Sequence, residues 1–85
     1  MVSRALIFYY RDGCHLCEDM WHQLREMQEQ RPFEVQLQNI DSDPELKLLY
    51  GSLIPVLAVG KQVICNYYLD PIAVEKHLDG LALNA

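Results

Sequence analysis

The stretch RDGCHLCEDMWHQL, residues 11–24, places two cysteines three positions apart where one sequence pattern gives way to another. Before it, ALIFYY (residues 5–10) is a continuous apolar run, typical of a strand buried on both faces of a sheet. After Gly13, apolar residues recur at intervals of three and four, which predicts one face of a helix; they are Cys17, Met20, Trp21, Leu24 and Met27. We therefore expect Cys14 at the start of a helix and Cys17 one turn inside it.

The segments downstream complete an alternating pattern. Arg31 and Pro32 end the helix, and FEVQLQ (residues 33–38) alternates apolar and polar positions, which predicts a half-buried strand and a βαβ unit. The second half predicts a short helix, a β-hairpin turning at Gly60-Lys61 and a closing helix. The predicted bounds are Glu45–Tyr50, Pro55–Val59, Gln62–Tyr67 and Ile72–Leu78, with Asp70-Pro71 opening the last helix and Asp79-Gly80 closing it.

Composition limits the classes of function. With 85 residues, 51% of them hydrophobic, the chain (residues 1–85) is expected to form a single domain and to act as a monomer. A formal charge of −5 disfavours binding to nucleic acid. No apolar run approaches the ~20 residues of a bilayer-spanning helix, and no signal-peptide cleavage site follows the first strand. We therefore expect a cytoplasmic protein with no membrane partner.

The cysteine pair fits two kinds of chemistry, a metal half-site or a dithiol that opens and closes as a disulfide. A zinc site would need two more ligands, and the candidates, His22 and Cys65, do not complete a second CxxC motif. A strand followed by CxxC at a helix start favours the redox dithiol, so we expect neither a metal nor a resident cofactor. The third cysteine, Cys65, is expected to be a buried apolar residue of a strand.

A helix N-terminus favours the thiolate, because its unpaired N–H groups and partial positive charge face the sulfur. Cys14 is therefore predicted to be the attacking thiol and Cys17 the resolving thiol. Arg11 and His15 add positive charge or hydrogen-bond donors beside them. Acidic neighbours oppose this effect; they are Asp12, Glu18 and Asp19.

Over essentially its whole length the chain resembles the glutaredoxin branch of the thioredoxin fold. The resemblance rests on the strand before CxxC, the βαβ unit, Ile54-Pro55 before a hairpin, and the closing helix; GCHLC is similar to small bacterial glutaredoxin-like proteins. It implies a thioredoxin-like α/β fold in the order β-α-β-α-β-β-α, with a four-stranded mixed sheet flanked by helices. It also implies a cis Ile54–Pro55 bond, with the Ile54 backbone facing the dithiol and open to an extended substrate.

The resemblance also bears on glutathione. Arg11 matches the basic residue that meets the glycyl carboxylate of glutathione in the family. The family's Gly-Gly and following Asp are replaced by Cys65-Asn66 and the bulky segment Tyr67–Leu69. We therefore expect Arg11, His15, Ile54 and Pro55 to contact substrate, and glutathione to be used poorly.

These observations together predict a thiol–disulfide oxidoreductase that works through Cys14 and Cys17. Its substrate would be a disulfide-containing protein or a small thiol, with the thioredoxin system as electron donor. Two alternatives remain at this point. One is a redox-sensing or partner-binding module without turnover, and the other is a carrier of an iron–sulfur cluster held between monomers through Cys14.

Overall fold

The computed structural model describes residues 5–83, which form a four-stranded sheet with helices on both faces. The elements are β1 (Leu6–Tyr10), α1 (His15–Gln30), β2 (Val35–Asn39), α2 (Pro44–Tyr50), β3 (Val56–Val59), β4 (Gln62–Asn66) and α3 (Pro71–Leu83). A single 3₁₀ turn, Ile40–Ser42, lies between β2 and α2. The order β-α-β-α-β-β-α confirms the predicted thioredoxin-like fold.

The sheet has the strand order β2-β1-β3-β4, with the apolar run of β1 in the interior. Strand β1 pairs in parallel with β2 and antiparallel with β3, and β3 pairs antiparallel with β4 across the predicted hairpin. Gly60 occupies that turn at φ 58°, a backbone conformation that favours glycine. Because β1 lies between two strands, the loop that follows it emerges at the centre of one edge of the sheet.

Each face of the sheet has its own apolar core, since successive side chains of β1 point to opposite faces. On one side Leu6 and Phe8 pack with residues of α1 and α3; these are Cys17, Met20, Leu24, Val74 and Leu78. On the other side Tyr9 packs with Ile40, Val56 and Ala58, and α2 covers them through Leu46 and Tyr50. Cys17 is thus a member of the larger core.

Several predicted boundaries were wrong, most of them by one residue. Strand β2 begins at Val35 rather than at residue 33, and β4 ends at Asn66 because Tyr67 turns away with φ 63°. Helix α3 continues through Asp79-Gly80, the predicted stop. A glycine inside a helix costs only ~1 kcal/mol relative to alanine, which does not suffice to end it. Residues 1–4 and 84–85 of the predicted domain lie outside the described residues.

Within residues 5–83, no helix is both long enough and apolar enough to cross a bilayer.

Candidate functional site

Cys14 caps the N-terminus of α1 with its own sulfur. Its backbone is extended (φ −100°, ψ 109°), and its Sγ accepts a hydrogen bond from the Cys17 N–H at 3.2 Å. The Cys14 carbonyl accepts the first helical bond, from the Glu18 N–H at 3.0 Å. Gly13, at φ 77°, makes the turn that leads into this position. The sulfur therefore occupies the place where helix N–H groups stabilise negative charge.

The structure joins Cys14 and Cys17 in a disulfide, with their Cα atoms 5.2 Å apart. Cys14 is half-buried, whereas Cys17 is 3% exposed and belongs to the core beneath the sheet. An incoming reagent therefore reaches Cys14 more readily than Cys17.

Arg11 lies beside the cysteine loop but is already paired. Its Nε and Nη2 donate to Oδ1 of Asp41 at 3.1 and 2.9 Å, and Nζ of Lys47 lies 3.7 Å from the same oxygen. Sequence inspection missed Asp41, because thirty positions separate it from Arg11.

His15 projects into solvent, with its side chain 97% exposed and its Nδ1 3.9 Å from a carboxylate oxygen of Glu18. It directly follows Cys14 in the chain. His15 therefore lies on the surface next to the cysteine pair.

The Ile54–Pro55 peptide bond is cis, and it directly precedes β3. Pro55 is fully buried, and Ile54 packs against the same apolar cluster as Cys14. The Ile54 N–H donates to the Tyr50 carbonyl at 3.0 Å. The expectation of an open backbone at Ile54 was therefore wrong for its N–H, because the Tyr50 carbonyl at the end of α2 accepts a hydrogen bond from it. Strand addition at Ile54 would have to use its carbonyl.

Tyr67 holds the loop that carries Pro55 through hydrogen bonds, a role that was not predicted from the sequence. Its N–H donates to the Pro55 carbonyl at 2.9 Å, and its hydroxyl donates to the Ser52 carbonyl at 2.5 Å. The neighbouring Asn66 amide donates to the Leu53 carbonyl at 3.4 Å. No local pattern signals these bonds, because they depend on how the hairpin brings the end of β4 back to the loop before β3.

A groove of about 230 Å³, here called the dithiol groove, opens between β1, α1 and β2 next to Cys17. Its floor is apolar and includes Phe8, Trp21 and Leu37, and the Phe8 and Trp21 rings stack with centroids 5.7 Å apart. Its rim carries charge from Arg11, Asp12 and Glu18. The sequence pattern placed Trp21 on the apolar face of the first helix, and the structure half-buries it there as part of this floor.

Cys65 lies on β4, half-buried and unbonded to another cysteine. Burial raises the pKa of its thiol, and the nearby negative charge of Asp70 raises it further, while a hydrogen bond with the Asp70 backbone acts in the opposite direction. A raised pKa leaves less thiolate at neutral pH.

We therefore expect Cys65 to react more slowly with iodoacetamide than Cys14 when the reduced protein is alkylated between pH 6 and pH 8. The Cys14 thiolate is stabilised by the helix, whereas the Cys65 thiolate is disfavoured by burial. Peptide mass spectrometry after timed quenching gives each rate, and urea-unfolded protein provides the control in which the rates converge. Equal rates in the folded protein would contradict this assignment.

No group of three His, Cys, Asp or Glu side chains in the described part of the chain is arranged to hold a metal ion.

The chain is similar to proteins of one family. The model of the family described as "Glutaredoxin-like domain (DUF836)" matches residues 5–79. The solution NMR structure of protein Ne2328 from Nitrosomonas europaea is 39% identical with a TM-score of 0.75, and the match covers 91% of this chain and 93% of that one. The X-ray structure of protein XcR50 from X. campestris is 32% identical with a TM-score of 0.65, over 89% and 97% of the two chains. No curated protein matches significantly.

The family model spans the βαβ unit, the cysteine pair, the proline loop, the hairpin and most of α3. The two solved structures each cover about nine tenths of the chain at more than 30% identity. The chain belongs to the glutaredoxin-like family of the thioredoxin fold.

Proposed function

We propose that this protein is a thiol–disulfide oxidoreductase that exchanges disulfides through Cys14 and Cys17. The observation that carries the proposal is the position of the Cys14 sulfur, which caps α1 at the surface while Cys17 lies in the core. A thiol stabilised as thiolate and accessible to solvent is a nucleophile, and a second thiol one helical turn away resolves the product.

The reaction proceeds in two displacements. The Cys14 thiolate attacks one sulfur of a substrate disulfide, forms a mixed disulfide with it and releases the other sulfur as a thiolate, which takes up a proton. The Cys17 thiolate then attacks the Cys14 sulfur and releases the second substrate thiolate, which is also protonated. The substrate gains two electrons and two protons, and the protein becomes the Cys14–Cys17 disulfide.

The surroundings of the dithiol support a protein or peptide substrate. The dithiol groove offers an apolar floor beside Cys17, and the exposed side chains of Tyr67 and Tyr68 extend the apolar surface near the proline loop. Such surfaces suit side chains that flank a cysteine in another chain. The proposed partner is thus a disulfide-containing protein in the cytoplasm, where reduced electron donors are present.

We further propose that a protein dithiol, such as thioredoxin or its reductase, regenerates the reduced form better than glutathione does. Glutathione needs a donor or opposite charge for each of its carboxylates. The guanidinium of Arg11 is occupied by Asp41, and bulky Tyr67 and Tyr68 replace small and acidic residues of the family pattern.

The proposal is tested by turnover. The purified protein is mixed with a disulfide-bonded peptide and NADPH, together with either thioredoxin and its reductase or glutathione and glutathione reductase, and NADPH oxidation is followed. We expect catalysed reduction that is faster with the thioredoxin system. A dithiol that undergoes oxidation and reduction but accelerates no exchange would contradict catalysis and favour a redox-sensing module. Visible absorption after anaerobic reconstitution with iron, sulfide and glutathione would instead indicate a cluster carrier.

A further inference from the structure

The cation nearest the cysteine loop is neutralised by a carboxylate from elsewhere in the chain. Arg11, at the rim of the dithiol groove, gives two of its N–H groups to Oδ1 of Asp41. Lys47 of α2 approaches the same oxygen at 3.7 Å. Asp41 thus pairs with two positive side chains that an incoming carboxylate would otherwise contact.

The position of Asp41 is fixed by its own local structure. Its backbone N–H donates to the side-chain oxygen of Asn39 at 2.9 Å, and the Ser42 hydroxyl donates to the Asn39 carbonyl at 2.6 Å. The Asn39 amide also donates to a carboxylate oxygen of Asp12, at 3.5 Å, in the loop that leads to Cys14. The turn after β2 therefore presents Asp41 to Arg11 and is itself tied to the cysteine loop.

The charges around the groove are consequently unfavourable to anions. The charged side chains that line the groove are Arg11, Asp12 and Glu18, and Arg11 is paired with Asp41, which Lys47 also approaches. The set is net negative as it stands, and would be neutral without the carboxylate of Asp41. Two unit charges about 8 Å apart in water interact strongly enough to change a reaction rate about two- to threefold. The change is larger where the dielectric constant is lower.

We infer that Asp41 is a specificity-determining residue that makes the dithiol discriminate against negatively charged thiols, glutathione among them. This inference rests on the proposed function and names the substrate class that the site disfavours. In the step concerned, a thiolate attacks Cys14 and displaces the Cys17 thiolate, and a second thiol molecule then displaces Cys14. Two thiols become one disulfide, and their two electrons and two protons reduce the protein. Asp41 raises the barrier to the first attack when the attacking molecule carries negative charge.

The test compares three small thiols of different charge on the oxidised protein. The attacking species is the thiolate. It carries a net charge of −2 in glutathione and −1 in 2-mercaptoethanol, and it is neutral overall in cysteamine, whose ammonium balances the sulfur. For each thiol, the rate of loss of the Cys14–Cys17 disulfide is measured in Asp41→Asn relative to wild type. We expect Asp41→Asn to raise the glutathione rate most, about two- to fivefold at low salt, to raise the mercaptoethanol rate by a smaller factor and to leave the cysteamine rate nearly unchanged. The changes should shrink in ~1 M salt, where the Debye length falls to ~3 Å.

Two variants control for charge and for mechanism. Asp79→Asn removes the partner of Arg31, a similar exposed ion pair on another part of the molecule, and should leave all three rates unchanged. The double variant Arg11→Gln/Asp41→Asn should lose most of the gain with glutathione. Urea unfolding confirms that each variant is folded at the temperature used.

The outcomes separate the inference from the function on which it rests. The inference would be overturned if Asp41→Asn changed all three rates by the same factor. It would also be overturned if the changes were no larger than those of Asp79→Asn. Neither result would contradict the exchange reaction itself. A wild-type disulfide that none of the three thiols reduces would overturn the proposed function and the inference with it.

Discussion

Cys14→Ser is expected to abolish disulfide exchange completely, and Cys17→Ser to trap a mixed disulfide between Cys14 and the substrate. The reason is positional, because the Cys14 sulfur caps α1 at the surface whereas Cys17 is 3% exposed. Without Cys14 no accessible thiolate remains at the helix start, and without Cys17 nothing resolves the first intermediate. Turnover assays measure the first effect, and non-reducing electrophoresis or intact-mass spectrometry detects the trapped adduct.

Cys65→Ser is the matched control, since it removes the remaining described thiol without touching the cysteine pair. It should retain the wild-type rate of exchange. A Cys14→Ser protein that still turns over, or a Cys65→Ser protein that loses activity, would show that the roles of the three cysteines are assigned incorrectly.

Leu24→Ala is expected to lower the free energy of unfolding by ~2–5 kcal/mol, the range for a large-to-small change in a packed core. Leu24 is 0% exposed on α1 and packs in the larger core with Phe8 and Cys17. A loss of this size is a large fraction of the ~5–15 kcal/mol that stabilises an ordinary domain. Urea unfolding followed by far-ultraviolet circular dichroism gives the change.

Leu48→Ala is the control, because Leu48 is also a helical leucine but is 88% exposed on α2. We expect a change within about 0.5 kcal/mol, as for surface substitutions in general. If both variants lost similar stability, α1 would not pack on the sheet as described.

The elements that could be predicted from the sequence were those with a local sequence pattern. The apolar run before CxxC predicted the interior strand, the spacing from Cys17 to Met27 predicted the buried face of α1, and Gly60-Lys61 predicted the hairpin. Cys14 falls at the helix N-terminus because the change of period after Gly13 marks that boundary. Each signal depends on residues within a few positions of one another.

The features that were missed depend on residues distant in sequence. Asp41 reaches Arg11 across thirty positions, and Tyr67 bonds to Ser52 across fifteen. The engagement of the Ile54 N–H depends on where α2 ends, and helix ends are poorly marked in sequence. The pairing of Arg31 with Asp79 likewise joins residues that are distant in sequence. Local propensity could not indicate any of these.

The most direct test of the central claim is thiol trapping of the purified protein equilibrated in buffers of defined thiol–disulfide ratio. Samples are quenched with acid, alkylated and analysed by peptide mass spectrometry, so that the oxidised fraction of each cysteine is known. If Cys14 and Cys17 form one reversible dithiol, they should titrate together in a single two-electron transition while Cys65 stays reduced. Separate transitions for Cys14 and Cys17, or a disulfide that includes Cys65, would contradict it.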